Sequence, residues 1–323
     1  MQKSRDKTKR IKHFLLQAGW VNPVDEVRFL AAGEYNENYV VRSGGDLFVL
    51  RINHGSQLGL DDQIEYEFRA LKAVELSGVT PRVHAVEPRP PGLDGGALLM
   101  DYIEGGPFDY HRDRDGAAKV FARIHALPVP EDCGLIVQRD PVSDIAAESH
   151  GLLHRYENHP LKRQRTLLLD YHQSVRQLAR ETEGLFENES LCLVNSEVNS
   201  GNFIVGDGGV FLVDWEKAVV SYRYQDLGHF LVPTSTRWKQ QATYSDADKR
   251  AFLAAYRDAI GSTLSLEELK MKSHVLEKTI LLRALSWCFM AYDEYTQTER
   301  AIRNEETFRK IEEYMVDIEC LLE

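Results

Sequence analysis

Residues 193–216 read LVNSEVNSGNFIVGDGGVFLVDWE. A polar loop carrying Glu197, Asn199 and Asn202 runs into the apolar stretch NFIV, the turn GDGG and a second apolar stretch, VFLVDW, in which Asp214 lies between Val213 and Trp215. Apolar, β-branched runs about a glycine-rich turn predict a tight β-hairpin with positive φ at glycine. An acid among apolar neighbours costs free energy unless it is compensated, and a cation is the simplest partner. The hairpin brings Asp214 back beside the polar loop, so loop and acid together form the candidate chemical centre.

Upstream, the first hundred residues read as strands interrupted by one helix. YVVRS and LFVLRIN, separated by GGD, predict two adjacent antiparallel strands. From Asp62 to Ser77, Ile64, Phe68 and Leu71 recur at helical spacing, and Gly78 with Pro81 supplies the stop. RVHAVE and GALLMDYIEGG read as two more strands, and Gly105, Gly106 and Pro107 break the pattern. The expected division is therefore 1–104 and 105–323. Beyond it helices dominate. Ala117, Val120, Phe121 and Ile124 form one stripe, residues 161–184 a long polar helix, and Leu276, Ile280, Ala284, Trp287 and Ala291 another apolar line. Phe308, Ile311, Met315, Ile318 and Leu322 line the last helix.

The order of these pieces resembles the aminoglycoside phosphotransferase and choline kinase group of small-molecule kinases. In that group a loop of pattern H-G-D-x-x-x-x-N precedes a hairpin ending in D-W-E, and here NSEVNSGN and VDWE occupy those places. LRIN, EFRALKAV, LLMDYIEGGP, ARIHAL and YQDLGHF follow in family order, so the resemblance covers most of the chain. It implies an α+β, bilobal, protein-kinase-like fold: an N-terminal antiparallel sheet with one helix, and a larger, mainly helical lobe with an inserted hairpin. It also implies ATP and Mg²⁺ as cofactors and a hydroxyl of a small polar molecule as acceptor. Phosphoryl transfer asks a protein chiefly to position the nucleophile and neutralise phosphate charge. Mg²⁺ takes oxygen ligands and borrows several from phosphate and water, so Asp214 and Asn202 suffice as protein ligands.

The remaining roles follow position by position. Arg51 stands where the family has a basic residue on the α and β phosphates, and Glu67 on the helix would orient it, with Glu65 as a rival on another side of that helix. Taken singly, Arg51 also suits an outward cation on a strand, and Asp214 a satisfied turn acid. Gly33, in LAAGEYNENYVV, would belong to a hairpin covering the phosphates, although the segment holds no Walker or dinucleotide fingerprint. The backbone of Met100, Asp101 and Tyr102 would receive the adenine edge. Glu197 stands where the family has the Asp that orients the acceptor hydroxyl, one methylene longer, and Asn195 replaces the usual His. A Glu can serve if it reaches the hydroxyl; the alternative is a catalytically silent nucleotide-binding module. Asp226 would brace the loop, and His125 would stabilise a helix C-terminus by its dipole.

Composition narrows the partners. The chain has 323 residues, 43% hydrophobic and 28% charged, and a formal net charge of −11. That balance disfavours nucleic acid and anionic membranes, and neutral or cationic substrates fit more easily. Trp238 and Trp287 offer aromatic surfaces, and Asp293, Glu294 and Glu299 could receive an amine. Cys133, Cys192, Cys288 and Cys320 form neither a CxxC pair nor a disulfide framework and read as reduced core thiols. The start lacks the apolar run of a signal peptide, and a cytoplasmic location is expected.

Overall fold

The computed structural model describes residues 2–156, 158–261, 263–296 and 304–323. Its elements begin with α1 (Gln2–Ala18), β1 (Glu26–Ala32), β2 (Asn36–Ser43), β3 (Asp46–Asn53), α2 (Gln63–Val74), β4 (Val83–Glu87) and β5 (Gly96–Asp101). Next come β6 (Gly106–Pro107), α3 (Arg114–His125), α4 (Pro141–His154), α5 (Lys162–Glu181), β7 (Cys192–Val194), β8 (Phe203–Gly206), β9 (Gly209–Leu212) and β10 (Val219–Ser221). The chain ends in helices: α6 (Tyr224–Leu231), α7 (Pro233–Thr236), α8 (Asp246–Ile260), α9 (Leu266–Thr296), α10 (Glu305–Val316) and α11 (Ile318–Leu322).

The first five strands make one antiparallel sheet in the order β1-β2-β3-β5-β4. Strand period two decides what each face carries. Leu50 and Ile52 of β3, with Ala97 and Leu99 of β5, pack with Ile11, Phe14 and Leu15 of α1. Val49, Leu98 and Met100 point the other way and join Ile64 and Leu71 of α2. Arg51 follows Val49 by two, so it falls on the α2 face, where Glu67 waits. Between β2 and β3, Gly44 and Gly45 have φ of 58° and 99°, the double positive φ that a two-residue hairpin turn requires.

Helix α1 was absent from the expected elements. Its apolar residues occupy only the last two turns, behind a polar basic stretch, and the helix is held by the sheet rather than by its own pattern. The expected helix 62–77 is α2 followed by a tighter turn over Glu75–Ser77, closed by Gly78 at φ 64°. The expected last helix is two, α10 and α11, parted at Asp317.

The second part of the molecule packs α4, α5, α6, α8 and α10 about the long α9, with α3 against α8, in a continuous core that includes Phe121, Phe230, Phe252, Leu276 and Phe289. The expected hairpin is β8 and β9, with β6 paired to β8. Positive φ there falls on Gly209 alone, at 113°. Gly228 lets α6 lie against α9: a Cβ there would meet backbone atoms of Glu277, Leu276 and Ser273 at 2.7–3.0 Å. Cys192 and Cys288 are buried and Cys133 half-buried, but Cys320 is exposed, which corrects the reading of all four as core thiols. No helix among the described residues is long and apolar enough to cross a membrane.

Candidate active site

The loop after β7 is held from behind by one carboxylate. Asp226, fully buried on α6, accepts the Asn195 N–H at 3.0 Å and the Ser196 N–H at 2.8 Å, and lies 3.2 Å from His125 Nε2. His125 in turn meets the Tyr256 hydroxyl at 3.0 Å through Nδ1. His125, in the last turn of α3, thereby links that helix to the loop's brace and to α8. Ser196 has φ 62°, a left-handed conformation costly for a residue with a Cβ. Its hydroxyl donates to the Lys217 carbonyl, and its own carbonyl accepts from Arg283 Nη2 at 2.7 Å and faces His229 Nδ1 at 2.7 Å. These bonds over-determine the strained turn.

Asn195, in the place of a family histidine, ties the loop to the acid after the hairpin. Its Nδ2 donates to the Asp214 carbonyl at 2.7 Å, and its Oδ1 accepts the Glu197 N–H at 3.1 Å. Asn202 Nδ2 donates to the Glu197 carbonyl at 2.6 Å, which commits that nitrogen and leaves the amide oxygen as the donor of metal type. Asp214 has φ 64°, so it too is bent out of extended geometry, away from the β9 ladder and toward the cleft.

Arg51 joins the two parts of the molecule. Its Nη1 donates to Glu67 in a very short ion pair and to Asp214 Oδ1 at 2.7 Å, and its Nε donates to Asn38 Oδ1 at 3.1 Å. Glu67 also accepts the Trp215 N–H at 3.2 Å. Burial alone would lower the Arg51 pKa, but the carboxylates of Glu67 and Asp214 outweigh it and keep the guanidinium charged. Glu65 is engaged elsewhere, with Arg69 on the same helix, so Glu67 is the partner. Glu216 accepts from Asn36 Nδ2 at 2.6 Å and Gln57 Nε2 at 3.4 Å. Burial, with Asp214, Glu197 and Glu67 nearby, pushes its carboxyl well above the usual range.

These groups open on one cleft of about 390 Å³. Gly33, Arg51, Glu197, Asn202 and Asp214 all line it; Glu67 stands behind Arg51 and does not. Gly33 is exposed in the β1–β2 turn, its N–H bonded to the Asn36 carbonyl at 2.9 Å, and the next residue, Glu34, accepts from the Tyr295 hydroxyl of α9 at 2.7 Å. Met100, Asp101 and Tyr102 are not brought to the cleft wall. The Asp101 N–H donates to the Arg82 carbonyl at 2.9 Å and the Tyr102 N–H to the Leu47 carbonyl at 3.3 Å, so neither donor is open to a base edge. Burial raises the Glu197 carboxyl above its ordinary range, against the opposing charges of Lys217 and Arg283.

Several wall residues had been passed over. Asn36, Asn38, Glu216, Lys217 and Arg283 have no role in the sequence reading, and all five line the cleft. A signal existed for Arg283: it is the lone charge in the apolar run ILLRALSW. Trp238 and Trp287 do line the cleft, their rings 6.1 Å apart at 72°. Asp293 and Glu294 do not; Glu294 accepts from the Tyr156 hydroxyl at 3.1 Å. Glu299 lies outside the described residues.

A family model described as the phosphotransferase enzyme family matches residues 26–265. An ethanolamine kinase from Plasmodium vivax superposes with a TM-score of 0.67 at 12% identity, over 95% of this chain and 86% of that one. A choline/ethanolamine kinase family protein from Mesorhizobium loti gives 0.63 at 18% identity, covering 98% and 95%. Spectinomycin phosphotransferase, in complex with ADP and its antibiotic, gives 0.58 at 12%, covering 93% of each chain. At these identities the superpositions establish the protein-kinase-like fold. No curated protein matches the chain by sequence.

Proposed function

The chain belongs to the phosphotransferase enzyme family, and from that premise we propose that it transfers the γ-phosphoryl group of ATP, with Mg²⁺, to a hydroxyl of a small polar molecule. The observation that carries this reading is the convergence on one cleft of Arg51 from β3, Glu197 and Asn202 from the loop after β7, and Asp214 from beyond the hairpin.

The donor set suits the metal. An Asp carboxylate and an Asn amide oxygen are hard ligands, and among the described residues no group of three or more acids, histidines or cysteines forms a closed metal cage. Mg²⁺ characteristically binds with few protein oxygens and fills its shell from phosphate and water. Asn202 and Asp214 would hold it, and when bound it would neutralise charge on the phosphates. Arg51, kept in place by Glu67, forks onto phosphate oxygens while staying charged. The Gly33 turn lines the same cleft.

Glu197 accepts the hydroxyl proton as the acceptor oxygen forms its bond to the γ-phosphorus. The bond from that phosphorus to the β,γ-bridging oxygen breaks, and ADP leaves with the electron pair. A carboxyl raised by burial is a stronger base than a free one, provided it is ionised at the working pH. The loop is bound at both Asn195 and Asn202, so the longer side chain of Glu197 works from a fixed backbone. The base edge of the nucleotide would be met beyond Tyr102.

The test is transfer of labelled γ-phosphate to a fractionated metabolite extract. Glu197→Gln should lower turnover by at least a hundredfold while nucleotide affinity stays within about twofold. Asp214→Asn should weaken Mg²⁺-dependent nucleotide binding. Nucleotide binding with no transfer to any acceptor would favour the silent binding module, for which the Glu and Asn substitutions in the loop are the motivating features.

A further inference from the structure

Three cations are buried among the described residues: Arg51, Lys272 and Arg283. Arg51 has Glu67 and Asp214, and Lys272 has Glu189 at 2.6 Å and Glu268 at 3.0 Å. Arg283, 6% exposed on α9, has no carboxylate within ion-pair distance among the described residues. Its recorded partners are the Ser196 carbonyl at 2.7 Å and His229 Nδ1 at 3.5 Å, both on one terminal nitrogen, Nη2. His229 supplies no negative charge, and burial with Arg283 and Lys217 nearby holds it neutral, its pKa well below the usual histidine value. A guanidinium has five N–H donors in a rigid fork, and burying one without a counter-charge costs several kcal/mol in general.

Arg283 lines the cleft, and so do Lys217 and Lys239. Lys239 reaches only the exposed Glu306, at 3.4 Å. The acids of the wall are committed: Asp214 to Arg51, Glu216 to Asn36, Glu34 to Tyr295. Glu197 feels the charge of Arg283 from beyond ion-pair distance. Hydrogen bonds to Tyr295 and Asn36 do not cancel the charge of Glu34 or Glu216, so the wall carries both signs, but among the described residues no carboxylate lies within ion-pair distance of Arg283 or Lys217. Beside them stand Trp238 and Trp287, whose edge-to-face rings form an apolar corner.

Resting on the phosphotransferase reading, we propose that the acceptor is a hydroxylated small molecule carrying an anionic group, a carboxylate or a phosphate, received by Arg283 while the Trp238–Trp287 corner takes its apolar body. Arg is suited to both anions, which its fork meets with two parallel hydrogen bonds. Arg283 also grips the carbonyl of Ser196, the residue before Glu197, so hydroxyl and anion sit within a few bonds of one another in the acceptor. This reverses the expectation, drawn from net charge, that a cationic substrate fits more easily. Net charge describes the whole surface; the unpaired guanidinium of Arg283 is a local feature of the wall.

The test uses the full chain with ATP and Mg²⁺ and three sets of probes. The anionic set is D-glycerate, shikimate, 4-hydroxyphenyllactate and glycerol 3-phosphate; the neutral set is glycerol and myo-inositol; the cationic set is choline and kanamycin. Phosphoryl transfer is read alongside thermal shift in the presence of ADP, which needs no turnover. Members of the anionic set should stabilise the protein and accept phosphate in preference to the others, the carboxylates and the phosphate ester separating the two anion types. Arg283→Gln should raise the KM of the preferred anion at least tenfold and change kcat less, and Arg283→Lys should recover part of the loss. An unchanged ADP shift in both variants shows that they are folded. Preference for choline or kanamycin, an unaltered KM in Arg283→Gln, or no stabilisation by any anionic probe would each overturn the proposal. Absence of any shift with ADP or ATP alone is a different result: it removes the phosphotransferase reading, and the proposal with it.

Discussion

Replacing Asp226 by Asn changes one atom and reaches the chemistry through the backbone. The native carboxylate serves three donors: Oδ1 takes the Ser196 N–H, and Oδ2 takes the Asn195 N–H and faces His125 Nε2. An amide keeps one oxygen. If it stands in the place of Oδ2, the new NH₂ faces the Ser196 N–H and leaves a buried donor unsatisfied, at about 1–3 kcal/mol. The two surviving bonds lose their charge assistance, worth roughly 0.5–1 kcal/mol each. Relief of a buried charge offsets part of the total. The net expectation is a loss of about 2–3 kcal/mol, measured by urea unfolding followed by tryptophan fluorescence. Ser196 precedes Glu197, so the loop should shift as well, and a shift of about 1 Å at a reacting group costs on the order of a hundredfold in rate. Nucleotide affinity should change less than turnover, because Asp214 keeps its ion pair with Arg51 even though Asn195 also ties its carbonyl to the loop. A variant within about 0.5 kcal/mol of wild type, with native turnover, would refute the idea that Asp226 holds the loop.

Gly228→Ala should separate α6 from α9, because the new methyl meets backbone rather than flexible side chains; a loss of about 1–3 kcal/mol in urea is expected, and an unchanged midpoint would show that the helices yield freely. His159 predicts an acid sensitivity. Its Nδ1 accepts the Leu161 N–H at 3.1 Å, its Nε2 donates to the Phe289 carbonyl at 2.7 Å, and burial lowers its pKa. Below about pH 6.5 the unfolded chain then binds more protons than the folded one, so stability falls as pH drops through that value. Unfolding free energies at pH 7.5 and 5.5 should differ less in His159→Gln than in wild type, and equal differences would rule the ring out. Tyr295→Phe removes the tie between α9 and Glu34. It should raise the KM for ATP two- to tenfold with the fold intact, and an unaffected KM would make that contact incidental.

Much of the fold was legible because strand alternation and turn glycines are local signals. LFVLRIN contains both its pairing and the facing of Arg51, and GGD specifies the turn. The nearness of Asn202 and Asp214 was legible for the same reason, since the two flank a single hairpin. What escaped depends on distance along the chain. The apolar residues of α1 are few, and only the sheet explains them. The backbone donors of Asp101 and Tyr102 read as open until β4 and β3 are placed beside them. Arg283 stands out in the sequence as a lone charge in an apolar run, but that no carboxylate among the described residues pairs with it is visible in three dimensions alone.

The Arg51 bridge also bears on how the protein is made. Arg51 and Glu67 are 16 residues apart, whereas Arg51 and Asp214 are separated by 163. At a synthesis rate of about 5–20 residues per second, Asp214 is added on the order of ten to thirty seconds after Arg51. During that interval the sheet and α2 can form with the guanidinium already matched by Glu67. The nascent N-terminal part therefore needs no shielding of an unpaired internal charge, and the later arrival of Asp214 completes the centre without undoing what was built first.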